Sequence, residues 1–134
     1  MENKEKSMLP EDDSAYPEYM IDLVKNKKYF GRMNAPIGSA YFKGPCGDEM
    51  EVYLDIQNGV IKDIKFYTDG CTATHVCGEI MSGMVIDKEV YQAMGVSPKI
   101  VLDSLKGLPE NHIHCAILAV STLYKAIAEY LLKA

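Results

Sequence analysis

The chain has 134 residues, 48% of them hydrophobic, which fits one domain with a real hydrophobic core. Fourteen basic and nineteen acidic side chains leave a formal charge of -5, so general affinity for nucleic acid is not expected, because phosphate contacts need a basic surface. The sequence lacks both an uncharged apolar run of about 18 residues and a basic-then-apolar N-terminus, so we expect a cytoplasmic protein with no membrane span.

The first 15 residues are acidic and contain few apolar groups, so they predict a disordered tail ahead of one domain over residues 16 to 134. Apolar side chains recur at helical spacing between residues 16 and 28, and Gly31 follows them. This pattern predicts a short amphipathic helix at the start of the domain.

Residues 38 to 68 read as strands in which apolar and polar side chains alternate. A two-residue Asn58-Gly59 turn would place the apolar faces of the two strands out of register. We therefore predict a three-residue loop, residues 57 to 59, that opposes Val52 to Ile64 and Met50 to Phe66.

Helical patterns follow the strands. Thr72 is predicted as the N-cap of a helix that ends near residue 84, and two shorter helices are predicted over residues 87 to 94 and 98 to 106. A last helix, apolar on nearly all sides, is predicted after Pro109, with Asn111 as N-cap, and runs to about residue 133. Strands followed by helices indicate an α+β domain with helices on one face of a small antiparallel sheet.

Three cysteines lie beside turn-forming glycines or at a helix start. Cys46 and Cys71 flank the predicted hairpin, whose ends antiparallel pairing brings together, and Cys115 falls in the first turn of the last helix. Thiolates suit iron-sulfur clusters, zinc or Cu(I), and the neighbouring Asp48 and His114 are candidate fourth ligands. Helix N-termini at the site would lower thiol pKa values. The spacing of the cysteines alone is equally compatible with a metal site and with three small buried residues that bind no metal.

The remaining thiol and imidazoles receive structural interpretations. Without a signal peptide, the four cysteines are interpreted as reduced thiols rather than disulfides. We predict that Cys77 is a small buried hydrophobe and that His75 and His112 have surface or hydrogen-bonded roles rather than ligand roles.

Several motifs occur in a fixed order along the chain. They are a segment over residues 26 to 31, Cys46-Gly47-Asp48, Asn58-Gly59-Val60-Ile61, Phe66-Tyr67-Thr68-Asp69-Gly70-Cys71, Leu108-Pro109, and Ile113-His114-Cys115. Over residues 17 to 133 this set resembles the NifU/IscU-type iron-sulfur cluster scaffold proteins.

The resemblance implies a fold of three antiparallel strands with helices. It also implies a scaffold that builds a transient [2Fe-2S] cluster from iron and from sulfur supplied by a cysteine desulfurase, and then passes the cluster to apo-proteins. Cys46, Cys71 and Cys115 would then be cluster ligands and sulfur acceptors, with Asp48 and His114 as exchangeable fourth ligands. A carboxylate or imidazole holds a cluster iron less firmly than a fourth thiolate, which favours a carrier over an electron-transfer protein.

The chain also departs from the family pattern. Residues 108 to 113 read Leu-Pro-Glu-Asn-His-Ile where chaperone-dependent members carry Leu-Pro-Pro-Val-Lys, which argues against docking to a dedicated Hsp70 chaperone. Thr72 follows Cys71, where the family often has glycine. A homo-oligomer that depends on the cluster is compatible with this reading.

Three alternatives remain. The first is a zinc-bound sulfur-acceptor protein of the same fold, in which Cys46, Asp48, Cys71 and Cys115 hold the metal. The second is a hydrolase or acyltransferase with Cys46 activated by His114. The third is a binding module whose cysteines are structural.

Overall fold

Three antiparallel strands pair in the order β1-β2-β3: β1 (Gly38–Lys43), β2 (Glu49–Gln57) and β3 (Val60–Tyr67). They belong to a computed structural model that describes residues 16–45, 47–106, 108 and 112–133. The predicted tail, Cys46, Pro109 and Asn111 lie outside the described residues. Alternate side chains of β2, namely Met50, Val52, Leu54 and Ile56, are buried, as the alternating pattern predicts.

The hairpin between β2 and β3 differs from the prediction of a three-residue loop. Asn58 and Gly59 both adopt positive φ, 54° and 76°, and form a two-residue turn flanked by the pair Gln57 and Val60. A bulge beside Asp55 and Ile56 leaves Lys62 as an extra residue on β3, which restores the apolar register. The partners are Val52 with Phe66 and Leu54 with Ile64, so the predicted pairing was wrong.

Five helices complete the described fold: α1 (Glu18–Asn26), α2 (Thr72–Val85), α3 (Val90–Ala93), α4 (Pro98–Asp103) and α5 (Ile113–Lys133). α5 packs against β1 and β2, and α2 packs against β3 and α5. Their buried side chains share one hydrophobic core with the buried face of the sheet. The predicted α+β class, with helices on one face of a small antiparallel sheet, is confirmed.

α5 is the central helix of the core. Its 21 residues are long and apolar enough to cross a bilayer by length and composition alone, but half of that span is buried inside the protein. It lies so close to β1 that a Cβ at Gly38 would stand 2.7 Å from the Ala126 carbonyl oxygen. This helix therefore reads as a core helix.

α5 also covers the outer edge of β1. The Ser39 amide donates to Glu129 Oε1 over 2.6 Å, and Lys125 Nζ donates to the Tyr41 carbonyl over 3.1 Å. Two backbone groups of this edge strand are thus bonded by helix side chains.

Candidate metal centre

Two loops meet at one end of the sheet, one leading into β2 and one leaving β3. The Thr68 hydroxyl joins them, because it donates to the Glu49 carbonyl over 2.5 Å and accepts from the Gly70 amide over 3.0 Å. Asp48 of the first loop is thereby held beside Cys71 of the second, with 3.9 Å between Asp48 Oδ2 and Cys71 Sγ.

Gly70 allows the Asp48 carboxylate to lie directly against the second loop. A Cβ at this position would stand 2.8 Å from Asp48 Oδ2 and 2.9 Å from its Cγ, closer than side chains tolerate. The glycine is therefore required by a close approach.

Cys71 is the N-cap of α2, and Thr72 is its first helical residue, so the predicted cap lies one position too late. The extended backbone of Cys71 (φ -73°, ψ 174°) ends the loop, and its carbonyl accepts from the amides of Thr74 and His75 over 3.0 and 3.2 Å. The Cys71 side chain is thus placed at the positive end of a 14-residue helix.

The start of α5 supplies two more donors to the same place. Cys115, in its first turn, is fully buried, and His112 immediately precedes the helix. His112 Nδ1 lies 4.0 Å from Cys71 Sγ. The ligand atoms of Cys71, His112 and Cys115 all lie within 4.8 Å of one another.

The Thr74 hydroxyl lies at the centre of these groups. Its Oγ1 is 2.7 Å from Asp48 Oδ2, 3.3 Å from Cys115 Sγ and 3.5 Å from Cys71 Sγ. Three acceptors therefore surround a hydroxyl that has one proton to donate.

The pKa values of the two thiols are shifted in opposite directions. The neighbouring Cys115 thiol, helped by the Thr74 hydroxyl and amide, lowers the pKa of Cys71 to about 5 against the opposing effects of burial and of Asp48. The pKa of Cys115 is raised by its hydrogen bond to Cys71 and by burial. The pKa is thus lowered at Cys71, chiefly by the Cys115 thiol with a smaller contribution from the Thr74 amide at the helix start, and it is not lowered at Cys115, which keeps the proton that the pair shares.

Among the candidate ligands, the structure brings together Asp48, Cys71 and Cys115. His114 is half-buried in the first turn of α5, with its ring centroid 6.2 Å from that of His112 and outside the thiol and imidazole group. Cys46 belongs to the part of the chain that is not described.

Two neighbours of the thiols have no ligand role predicted from the sequence. His112 is predicted to have a surface or hydrogen-bonded role, and it does contact Cys71; its position three residues before Cys115, at a helix start, is the sequence signal for this proximity. Thr74 has no predicted role, although residues i and i+3 of a first helical turn face one another, which places its hydroxyl beside Cys71.

The other thiol and imidazole of α2 are core residues. Cys77 is fully buried, and burial raises its pKa to about 12, in agreement with its predicted packing role. His75 is only 2% exposed, its ring centroid lies 4.8 Å from that of Phe30, and burial lowers its pKa to about 4. Its Nε2 atom has no hydrogen-bond partner among the described residues, so it is neither a surface group nor bonded through that nitrogen.

The donor set fits iron or zinc. Tetrahedral zinc with sulfur and nitrogen ligands keeps its ligand atoms about 3.4 to 3.8 Å apart, so contraction by about 1 Å would let Cys71, His112 and Cys115 share an ion. Two thiol sulfurs with an adjacent carboxylate and imidazole also match the mixed ligation that iron accepts.

The chain is similar to known proteins over most of its length. The NifU-like N terminal domain family matches residues 15–134. The iron-sulfur cluster assembly scaffold protein IscU of Escherichia coli K12 is 31% identical over 121 residues, which cover 87% of this chain and 94% of that protein. Scaffold protein IscU 1 of Archaeoglobus fulgidus is 31% identical over 119 residues, 88% of this chain and 78% of its own.

Solved structures show the same fold. The N-terminal NifU-like protein of Brucella abortus matches with a TM-score of 0.73 at 15% identity, over 91% of this chain and 98% of its own. A Fervidobacterium islandicum protein, described as a cluster assembly scaffold for the SUF system, gives 0.69 at 22% identity, over 85% and 97%. The match over nearly the whole chain, together with the thiol group at the end of a three-stranded sheet, identifies the chain as a member of the NifU-like N-terminal domain family.

Proposed function

We propose that this protein is a scaffold on which a labile [2Fe-2S] cluster is assembled and from which it is passed to apo-proteins. The observation that carries the proposal is the convergence of the Cys71 and Cys115 thiols with the Asp48 carboxylate at two helix N-termini. The curated relatives bear the name of iron-sulfur cluster assembly scaffolds, which supports the same role. Cys46 and His114 join the proposed ligand set from their sequence motifs.

Cys71 is the proposed sulfur acceptor. Its lowered pKa and partial exposure favour a thiolate at neutral pH. This thiolate attacks the outer sulfur of a persulfide on a cysteine desulfurase. A new S–S bond forms on Cys71 while the old one breaks, and the desulfurase cysteine leaves as its thiolate.

Assembly then consumes two such sulfur atoms, two ferrous ions and two electrons from an external donor. Reducing two sulfane sulfurs to sulfide takes four electrons, of which oxidation of the two irons supplies two. The role of this chain is to hold the irons through thiolates and to exclude water around the buried Cys115. No enzymatic turnover is required of the scaffold itself.

Asp48 gives the site its capacity for release. A carboxylate is a harder and weaker ligand for cluster iron than a thiolate, so a position filled by Asp48 can be opened by an incoming acceptor cysteine. We place this exchange in the cytoplasm, with a cysteine desulfurase and recipient apo-proteins as partners and a homo-oligomer formed around the cluster as a further state.

The test is anaerobic reconstitution with ferrous iron, cysteine and a cysteine desulfurase, followed by visible and Mössbauer spectroscopy and by transfer to an apo-ferredoxin. We expect a [2Fe-2S] spectrum that is lost from the scaffold and appears on the ferredoxin. A protein that binds no iron, or a cluster that never leaves, would overturn the proposal.

The proximity of Cys71, His112 and Cys115 favours one second candidate, a zinc-bound sulfur acceptor. In that case one zinc per chain would be held tightly, and Cys71 would accept persulfide sulfur without building a cluster. Metal analysis of the purified protein beside the reconstitution separates the two functions.

A further inference from the structure

We propose that Thr74 is a positioning residue that holds the Asp48 carboxylate at the thiol pair and thereby sets how readily a bound cluster leaves. This inference rests on the proposed scaffold function. It assigns to this chain a control element that is separate from the ligands themselves.

The geometry favours Asp48 as the acceptor of the Thr74 proton. The threonine side chain is fully buried, and its Oγ1 lies 2.7 Å from Asp48 Oδ2, against 3.3 and 3.5 Å from the sulfurs of Cys115 and Cys71. The carboxylate is a stronger acceptor than the neutral Cys115 thiol, and it lies closer to the hydroxyl than the Cys71 sulfur does. Thr74 thus holds the carboxylate beside Cys71, with Asp48 Oδ2 at 3.9 Å from Cys71 Sγ.

Gly70 closes the other side of the carboxylate. A Cβ there would meet both Asp48 Oδ2, at 2.8 Å, and the Thr74 Cβ, at 3.1 Å, so the carboxylate occupies a gap between these two residues. Asp48 is only half-buried, and without the Thr74 donor its side chain can turn toward water. The inward position therefore depends on one hydroxyl.

The position of Asp48 decides which side chain acts as the weak ligand of a bound cluster. When Asp48 turns outward, the imidazole of His112 is the remaining non-thiol donor beside the described thiols, and it binds cluster iron more firmly than a carboxylate. Loss of the Thr74 hydroxyl should therefore slow release in the same way as loss of Asp48 itself.

The experiment compares transfer rates from reconstituted protein to apo-ferredoxin for the wild type, Thr74→Val, Thr74→Ser, Asp48→Ala and the double variant Asp48→Ala/Thr74→Val. We expect about tenfold slower transfer for Thr74→Val, close to that of Asp48→Ala, and a wild-type rate for Thr74→Ser. The double variant should be no slower than Asp48→Ala, because two changes that act through one contact are not additive. A wild-type rate for Thr74→Val, or additive effects in the double variant, would overturn the proposal.

Thr122→Val is the matched control. Thr122 is also a fully buried helical threonine, and its hydroxyl donates to the Leu118 carbonyl over 2.7 Å. The control makes the same chemical change in the core and should transfer its cluster at the wild-type rate. Slowing equal to that of Thr74→Val would assign the effect to a general loss of packing and overturn the positioning role.

A second readout needs no cluster. In titrations with Co²⁺ under anaerobic conditions, Thr74→Val and Asp48→Ala should share one altered visible spectrum, while Thr122→Val and Thr74→Ser keep that of the wild type. If the wild type never transfers a cluster, the scaffold function fails while the Co²⁺ spectra still test the link between Thr74 and Asp48. If Thr74→Val does not fold, Thr74→Ala takes its place in both assays, and an unchanged spectrum in either variant contradicts the proposal.

Discussion

The first turn of α2 and the middle of the same helix give two cysteines opposite chemistry. Cys71 is half-exposed at the N-cap, beside a hydroxyl, a carboxylate and a second thiol, and its pKa falls to about 5. Cys77, six residues along, is buried in the core, and its pKa rises to about 12. The Cys115 thiol and the hydroxyl and amide of Thr74 stabilise a thiolate at Cys71, whereas Cys77 is buried away from such donors, so these surroundings decide which sulfur can react.

The largest expected effect is on cluster assembly. Cys71→Ser should abolish stable assembly, because a serine hydroxyl is a hard, weakly acidic ligand, whereas Cys77→Ala should assemble normally. The absorbance of the cluster after reconstitution measures both. A normal yield from Cys71→Ser would remove Cys71 from the ligand set, and a lost yield from a folded Cys77→Ala would give the core thiol a direct role.

Thiol alkylation sharpens the same contrast in the metal-free protein. At pH 7 iodoacetamide should modify Cys71 at least about 100-fold faster than Cys77, because one sulfur is an accessible thiolate and the other is a buried thiol. Peptide mapping by mass spectrometry gives the two rates. In urea the two rates should converge. Comparable rates in the folded protein would contradict the difference in reactivity between Cys71 and Cys77.

His75, which lies between the two cysteines, predicts an acid-dependent loss of stability. Burial lowers its pKa to about 4, below the ordinary 6.5, so the unfolded chain binds the proton more readily between these values. The protonation of His75 therefore leaves the free energy of unfolding unchanged above pH 6.5. It should lower that free energy by up to about 3 kcal/mol as the pH falls from 6.5 to 4.

Urea unfolding at several pH values measures this loss. His75→Leu removes the titrating group at similar volume and should flatten the curve across that window. A variant with the same slope as the wild type would show that other groups cause the acid sensitivity.

Substitutions at two glycines of α2 should have the smallest effects on the free energy of unfolding, and the two effects should have opposite signs. A Cβ at Gly78 would lie 2.5 to 2.8 Å from three ring atoms of Phe66, so Gly78→Ala should lower the free energy of unfolding by about 2 kcal/mol. At Gly83 the nearest such atom, Tyr29 Cε2, is 3.8 Å away, so Gly83→Ala should raise it by up to about 1 kcal/mol. Denaturant titration gives both values, and equal changes would contradict the tight contact at Gly78.

Much of the fold follows from local pattern. The alternation in β2 and the apolar length of α5 come from side-chain burial, which the sequence displays directly. The hairpin register did not follow, because the bulge that leaves Lys62 unpaired is chosen by packing of the whole sheet rather than by the turn residues. Reasoning from the turn alone therefore chose the wrong loop.

The site divides in the same way. Cysteines beside glycines and helix starts pointed to Asp48, Cys71 and Cys115, which the fold does bring together. The contact of Thr74 with Cys71 follows from their i, i+3 spacing, but its contacts with Asp48 and Cys115 join separate elements and no local pattern encodes them. The imidazole of His112 likewise approaches Cys71 only because α5 begins where α2 begins.

The hydrogen bonds from Glu129 and Lys125 to the outer edge of β1 should lower the tendency of the protein to aggregate. An uncovered edge strand is a template for strand addition by other chains and a common start of aggregation. Here the central helix engages the Ser39 amide and the Tyr41 carbonyl, so a foreign strand would have to displace both side chains before pairing there. The same helix that supplies Cys115 at its beginning thus protects this edge of the sheet from strand addition nearer its end.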